Sequence, residues 1–205
     1  MTDAVAVRRL AIEALDRTAF APFGAVVGAE TADSPNFNRA PGNLGYLWVQ
    51  HLLEFPKQPY VGTLRYYYRG LRCEFMQKHP ASTIFLIPLG MRPSAFVVAP
   101  DTGRDQPDVD QARAFLLDGH QGIVLHRGTW VRYAYPLGTF ADFAYVTQRV
   151  DPATANTTDD VVRVRLDQQL GLVFDLVFEL PSSPVFEFGP SGAVVVGPGR
   201  NPPWD

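Results

Sequence analysis

Two side chains near the middle of the chain carry its clearest chemistry. His79 follows a strand-like run and precedes Pro80, and Gln77 stands two residues before it. Residues two apart on a strand point to the same face, so an imidazole and an amide would share one wall. An imidazole of ordinary pKa, about 6.5, can take or give a proton near neutrality; it can also simply bond the backbone of a turn. The amide can orient a substrate carbonyl or satisfy a buried polar position. Glu74 falls on the opposite face by the same count and reads as a solvated carboxylate.

Cations and phenols supply the second set. Residues 65–69 read Arg-Tyr-Tyr-Tyr-Arg. Alternation puts Tyr66 and Tyr68 on one face and Arg65, Tyr67 and Arg69 on the other. An inward Arg65 would bind an anion, and the spacing alone leaves both registers open. Arg132 could clamp a carboxylate with its planar fork, yet it lies on the opposite face from Val131 and Tyr133, so a surface or interface arginine reads as well. Tyr133 and Tyr135 share the face of Val131 and can enter a cavity or form its wall. His51, His120 and His126 make no close ligand pair with His79, and His120 and His126 sit near turns. The chain has no phosphate-binding Gly-rich loop ending in Lys-Ser/Thr, no dinucleotide fingerprint and no HExxH zinc signature. It also lacks a Gly-x-Ser-x-Gly elbow.

The elements that must hold these residues are short strands. Residues 12–20 read as a short helix closed by Pro22 and Gly24, and 25–27 begin the first strand. Aromatic and β-branched runs follow at 46–53, 62–68, 72–78, 82–88 and 94–99, and later at 122–125, 129–135 and 140–150. Turn residues separate them. Residues 108–117 read as a short helix or an irregular arm. This pattern predicts an all-β barrel rather than an α/β sheet. Residues 153–205, with strand-like runs at 161–166, 172–180, 185–188 and 193–196, read as a β extension packed on a barrel of residues 1–152 within one domain.

Composition agrees. The 205 residues are 46% apolar and 19% charged, with 17 Gly, 18 Pro, 14 Phe and 8 Tyr, which suits one globular β domain. A formal net charge of −3 argues against bulk attraction to nucleic acid. Cys73 is the single cysteine, which excludes an intrachain disulfide and four-cysteine metal motifs. With no long apolar run at the start or later, the expectation is a cytoplasmic protein without a membrane or nucleic-acid partner.

Several motifs occur together in order. They are Thr18-Ala-Phe-Ala-Pro-Phe-Gly24, Gln77-Lys-His-Pro80 with Thr83 to Leu89, Phe96-Val-Val-Ala-Pro100, Gln106-Pro-Asp108, Gly119-His-Gln-Gly-Ile123, Gly128-Thr-Trp130 and Asp142-Phe143. Over about residues 7–150 this resembles the ureidoglycolate lyase family of the cupin superfamily. The resemblance implies a cupin-like double-stranded β-helix (a jelly roll) with short helices, a homodimer and cleavage of ureidoglycolate to glyoxylate and urea. The family usually has Glu-Arg-His-Pro where this chain has Gln77-Lys78-His79-Pro80, and Gln where it has Thr83. It usually has Trp-His-His-Pro where this chain has Trp130-Val131-Arg132-Tyr133.

What the resemblance implies for the site follows from those positions. Gln77, His79, Thr83 and Val131 would face the cavity, and His79 alone among them is a good metal ligand. A divalent ion usually needs three or more protein donors, so neither a catalytic metal nor another cofactor is expected. Asn38 and Arg39 lie in the loop that helps close the family's site, and Trp130 is a core or substrate-contact position. The expected catalytic residues are His79, Tyr133 and Gln77. The expected substrate-binding residues are Arg65, Arg132, Asn38, Tyr66, Thr83 and Trp130. The leading reading is a metal-free C–N lyase on a small carbinolamine-type carboxylate. The alternatives are a metal-free lyase, isomerase or cyclase on a different carboxylate or carbonyl compound, a non-catalytic small-molecule-binding cupin, or a structural dimer with a filled barrel.

Overall fold

The aromatic and β-branched runs fold as strands. The computed structural model describes residues 5–28, 37–38, 48–149, 161–178, 187–188 and 194–195. In chain order these form β1 (Ala6–Ala14), α1 (Arg17–Phe20), β2 (Gly24–Val27), β3 (Phe37–Asn38), β4 (Trp48–Val49), β5 (Pro59–Tyr67), β6 (Arg72–Cys73), β7 (Phe75–Lys78) and β8 (Ile84–Leu89). Then come β9 (Ser94–Ala99), β10 (Arg113–Leu117), β11 (Gly122–Leu125), β12 (Trp130–Pro136), β13 (Phe140–Gln148), β14 (Val162–Arg165), α2 (Leu166–Gln169), β15 (Leu172–Val177), β16 (Glu187–Phe188) and β17 (Val194–Val195).

The main strands form two sheets. One runs β14-β7-β12-β9-β10-β1-β15-β6, the other β2-β11-β8-β13-β5. Pairing in both is antiparallel except that β1 runs parallel to β10 and to β15. The sheets face each other across one apolar core that includes Phe20, Phe96, Phe115, Phe143, Leu86 and Ile123. This is the cupin-like β-barrel that the resemblance implied.

A second core lies on the other face of the larger sheet, where Met76, Val97, Trp130, Tyr135, Val164 and Phe174 meet. The chain order explains it. Only Glu74 separates β6 from β7, so the far edge of the sheet returns beside β7 and curls around these side chains. The Leu166 N–H donates to the Glu74 carbonyl at 2.8 Å and fixes α2 at that corner. Strand β9 serves both cores: Phe96 and Val98 enter the first, while Ala95, Val97 and Ala99 enter the second. Every residue of β9 is therefore buried.

Three expectations need correction. The helix read over 12–20 is confined to Arg17–Phe20, where the Asp16 carboxylate caps the Ala19 N–H at 2.9 Å; Ile12–Ala14 belong to β1. The Ile-Glu-Ala-Leu stretch has helix propensity, but parallel pairing with β10 outweighs it. Residues 113–117 form strand β10 rather than a helix or arm, because they bridge β9 and β1. The run 72–78 is two strands broken at Glu74, not one.

Cys73 is fully buried in the second core. Burial pushes its thiol up to about 11, so the nucleophilic thiolate is scarce in the folded state. Ellman's reagent at pH 8 is expected to label native protein on the order of 10²-fold more slowly than protein in guanidinium. The folded pKa lies above the unfolded one, so this group's contribution to stability is complete below about pH 8.5. It is lost as pH rises towards the folded value.

Candidate active site

The barrel holds a cavity of about 330 Å³ between its two sheets. Strand β5 sends Leu64 and Tyr66 inward, and β7 with its extension sends in Gln77 and His79. Strand β12 contributes Tyr133, β13 contributes Tyr145 and Thr147, and Tyr60 and Arg163 complete the polar lining. The expected pair is therefore brought together: the Gln77 amide nitrogen lies 3.5 Å from Nε2 of His79. The His79 carbonyl accepts the Gly128 N–H at 2.9 Å, which fixes the backbone beside the imidazole.

Four phenols dominate the wall. The hydroxyls of Tyr60 and Tyr145 are 3.0 Å apart, and their rings meet edge to face. Tyr145 lies across β5 because its partner there is Gly62: a Cβ on that residue would stand 2.5 Å from the Tyr145 ring. Burial pushes the Tyr145 phenol up to about 12, and the bond to Tyr60 adds to the rise. Burial also raises Tyr66 and holds Tyr133 well above the ordinary tyrosine range. These groups stay protonated at neutral pH and can donate hydrogen bonds.

Other expected residues stand elsewhere. Alternation that turns Tyr66 inward turns Arg65 outward, and its guanidinium forks the Asp142 carboxylate at 2.6 and 2.7 Å. Arg65 is thus not an anion binder of this cavity. Arg132 also points away from it. Its guanidinium lies 3.7 Å from the Phe75 ring centroid, on the side of Tyr135, as expected for a residue whose strand neighbours Val131 and Tyr133 face inward. Thr83 faces a separate groove with His51, Glu54 and His126. Its hydroxyl accepts the Glu54 N–H at 2.9 Å, so it is not a contact of the His79 cavity. Trp130 is fully buried in the second core, with the Lys78 ammonium 5.0 Å from its ring centroid. Val131 packs in the first core. The side chain of Asn38 and all of Arg39 lie outside the described residues.

The sequence reading missed Tyr60, Tyr145, Thr147 and Arg163. Tyr60 precedes the run at which β5 was expected to begin. Tyr145 and Thr147 lie on one face of a strand that was correctly placed, so their alternation was the available signal. Arg163 gave no local signal, because its strand joins the barrel through a partner far away in sequence.

The donor set does not suit a metal ion. Among the described residues no three of His, Cys, Asp and Glu are grouped to hold one, and the cavity lining offers one imidazole beside amide, hydroxyl and guanidinium groups. A zinc-type site generally takes three or more Cys, His or carboxylate donors from the protein. Among the described residues no helix is long and apolar enough to cross a membrane.

The family model described as ureidoglycolate lyase matches residues 7–172. The chain is 32% identical to a ureidoglycolate lyase of Burkholderia mallei over 157 residues, 73% of this chain and 88% of that protein. It is 33% identical to one of Pseudomonas fluorescens over 159 residues, covering 75% and 90%. Among solved structures there is a slight likeness to dTDP-4-dehydrorhamnose 3,5-epimerase of Elizabethkingia anophelis. That likeness is 15% identical over 60% of this chain and 62% of that one, with a TM-score of 0.37. The family match spans the strands that build the cavity, from β1 to the start of β15, and the chain belongs to the ureidoglycolate lyase family.

Proposed function

We propose that this protein is a ureidoglycolate lyase that works without a metal ion, splitting the C–N bond to release glyoxylate and urea. The observation that carries the reading is the His79–Gln77 pair on the wall of a tyrosine-lined cavity, in a chain of this family. His79 takes the hydroxyl proton of the carbinolamine carbon as the C–N bond breaks. Tyr133 donates to the departing nitrogen and regains its proton from the imidazolium. The net change moves one proton from oxygen to nitrogen, so no oxidant or second substrate is needed. Gln77 orients the substrate through its amide.

The family reading also supports a homodimer acting in allantoin and purine breakdown in the cytoplasm. Pairing of β14 with β7 and of β15 with β1 supports taking residues 153–205 as part of one domain with the barrel.

The test is incubation with ureidoglycolate while glyoxylate release is followed with and without EDTA. Equal turnover in both is expected; loss of turnover with chelator would overturn the metal-free mechanism. The four cavity tyrosines favour one second reading, a metal-free lyase, isomerase or cyclase on a different carboxylate or carbonyl compound. Absent turnover of ureidoglycolate, with thermal stabilisation by such a compound, would select it.

A further inference from the structure

We propose that Thr147 is a specificity-determining residue, whose hydroxyl joins those of Tyr60 and Tyr145 to hold the neutral ureido end of the substrate. The proposal rests on the lyase reading for its substrate. The site itself rests on the register of β13 and on a buried hydroxyl left without a partner.

Strand β13 lies between β5 and β8. Its residues Ala141 and Phe143 are buried in the first core, so alternation sends Tyr145 and Thr147 to the same inward side. Thr147 stands directly opposite Tyr60 on β5, and Tyr145 opposite Gly62. Opposed residues project to one face and sit about 5 Å apart at Cβ. Tyr60, Tyr145 and Thr147 all line the cavity, and they form one row on the smaller sheet. The proton-transfer residues come from the other sheet: Gln77 from β7, His79 just beyond it and Tyr133 from β12.

Thr147 is 5% exposed, and its hydroxyl has no hydrogen-bond partner in the protein. Buried hydroxyls are normally bonded, because leaving one unpaired costs more than a made bond returns. An orphan on a residue of the cavity wall marks a contact that a ligand completes. Turning about the Cα–Cβ bond exchanges hydroxyl and methyl between staggered wells, which brings the oxygen to the cavity. The Tyr60 and Tyr145 oxygens lie 3.0 Å apart, so one O–H is used between them and the other remains to donate. Thr147 adds a donor, and each hydroxyl oxygen can accept. Uncharged donors and acceptors together match a ureido group, whose carbonyl accepts and whose terminal amide donates. A carboxylate finds no cation in this row. Beside it, β8 contributes the apolar Ile84 and Leu86. With the ureido end held here, the carbinolamine carbon lies towards His79 and the departing nitrogen towards Tyr133.

The experiment uses the full chain carrying T147V, which trades the hydroxyl for a methyl in nearly the same shape, or T147S, which keeps the hydroxyl. Ureidoacetate, the substrate without its reacting hydroxyl, and glyoxylate serve as inhibitors. T147V should raise KM for ureidoglycolate and the ureidoacetate constant about 3- to 10-fold, the loss of one hydrogen bond between neutral groups. The glyoxylate constant should stay within about twofold, since glyoxylate carries no ureido group. T147S should stay within about twofold of wild type for both inhibitors. Ligand-free T147V should melt no lower than wild type, because it has lost a buried hydroxyl that had no partner. An unchanged ureidoacetate constant in T147V would overturn the proposal, as would an equal rise for glyoxylate or a lower melting temperature. If wild type fails to turn over ureidoglycolate, the lyase reading fails by itself. Calorimetric binding of ureidoacetate then decides on the row: weakening in T147V upholds it, and equal binding, or none to wild type, removes it.

Discussion

Replacing His79 by glutamine lowers kcat/KM on ureidoglycolate by about 10²- to 10⁴-fold, the usual contribution of a positioned acid–base group. Glutamine keeps a polar side chain at the site, and the anchoring bond from Gly128 goes to the His79 backbone carbonyl. The fold should therefore survive, shown by an unchanged far-ultraviolet spectrum and melting temperature. Loss of proton transfer should appear in kcat, with KM little changed. The wild-type pH profile should rise through an acid limb that the variant lacks. Burial holds the Tyr133 phenol above its ordinary range of about 10. The donor therefore stays protonated, and no alkaline limb from this group is expected below that pH. A glutamine variant with wild-type kcat/KM would end His79's role as the base.

Phe115→Ala is expected to cost about 3–5 kcal/mol. The ring is fully buried and packs edge-on against Phe20 at 5.5 Å and Phe23 at 6.0 Å. It also meets Phe96, tilted, at 6.0 Å. Removing it empties the point where α1, β2, β9 and β10 converge. That loss combines transferred apolar area with a cavity that the surrounding elements and rings cannot close. In urea unfolding the midpoint should fall while the slope stays constant, and Tm should drop by about 10 °C. A loss below about 1 kcal/mol would mean that the surrounding rings collapse into the gap.

The barrel was legible because its signals are local. Residues 94–99 and 122–125 were read with the bounds they have as β9 and β11, being apolar runs bracketed by turn residues. Gln77 with His79, and Tyr133 with Val131, were placed on shared faces by alternation alone. What failed depended on distant partners. Residues 12–14 carry helix-forming types yet lie in β1 through parallel pairing with residues 114–116. The choice between faces at residues 65–69 needed Asp142, the partner of Arg65 across the ladder. Arg163 required knowing that a strand near the end of the chain lies against β7. Spacing along one strand carries face, but it carries no information about which strand comes next in the sheet.

The parallel seam between β1 and β15 has a consequence for how the protein is made. Strand β1 is made well before residues 172–177, the partner it pairs with. Until then β1 presents an unpaired edge, and the second core lacks its lid. Contacts of such long sequence separation slow folding, so the newborn barrel waits on a distant stretch of its own chain. Residue 163 emerges in the same late stretch. A chain halted before that stretch would form the imidazole wall of the cavity without the lining that Arg163 adds.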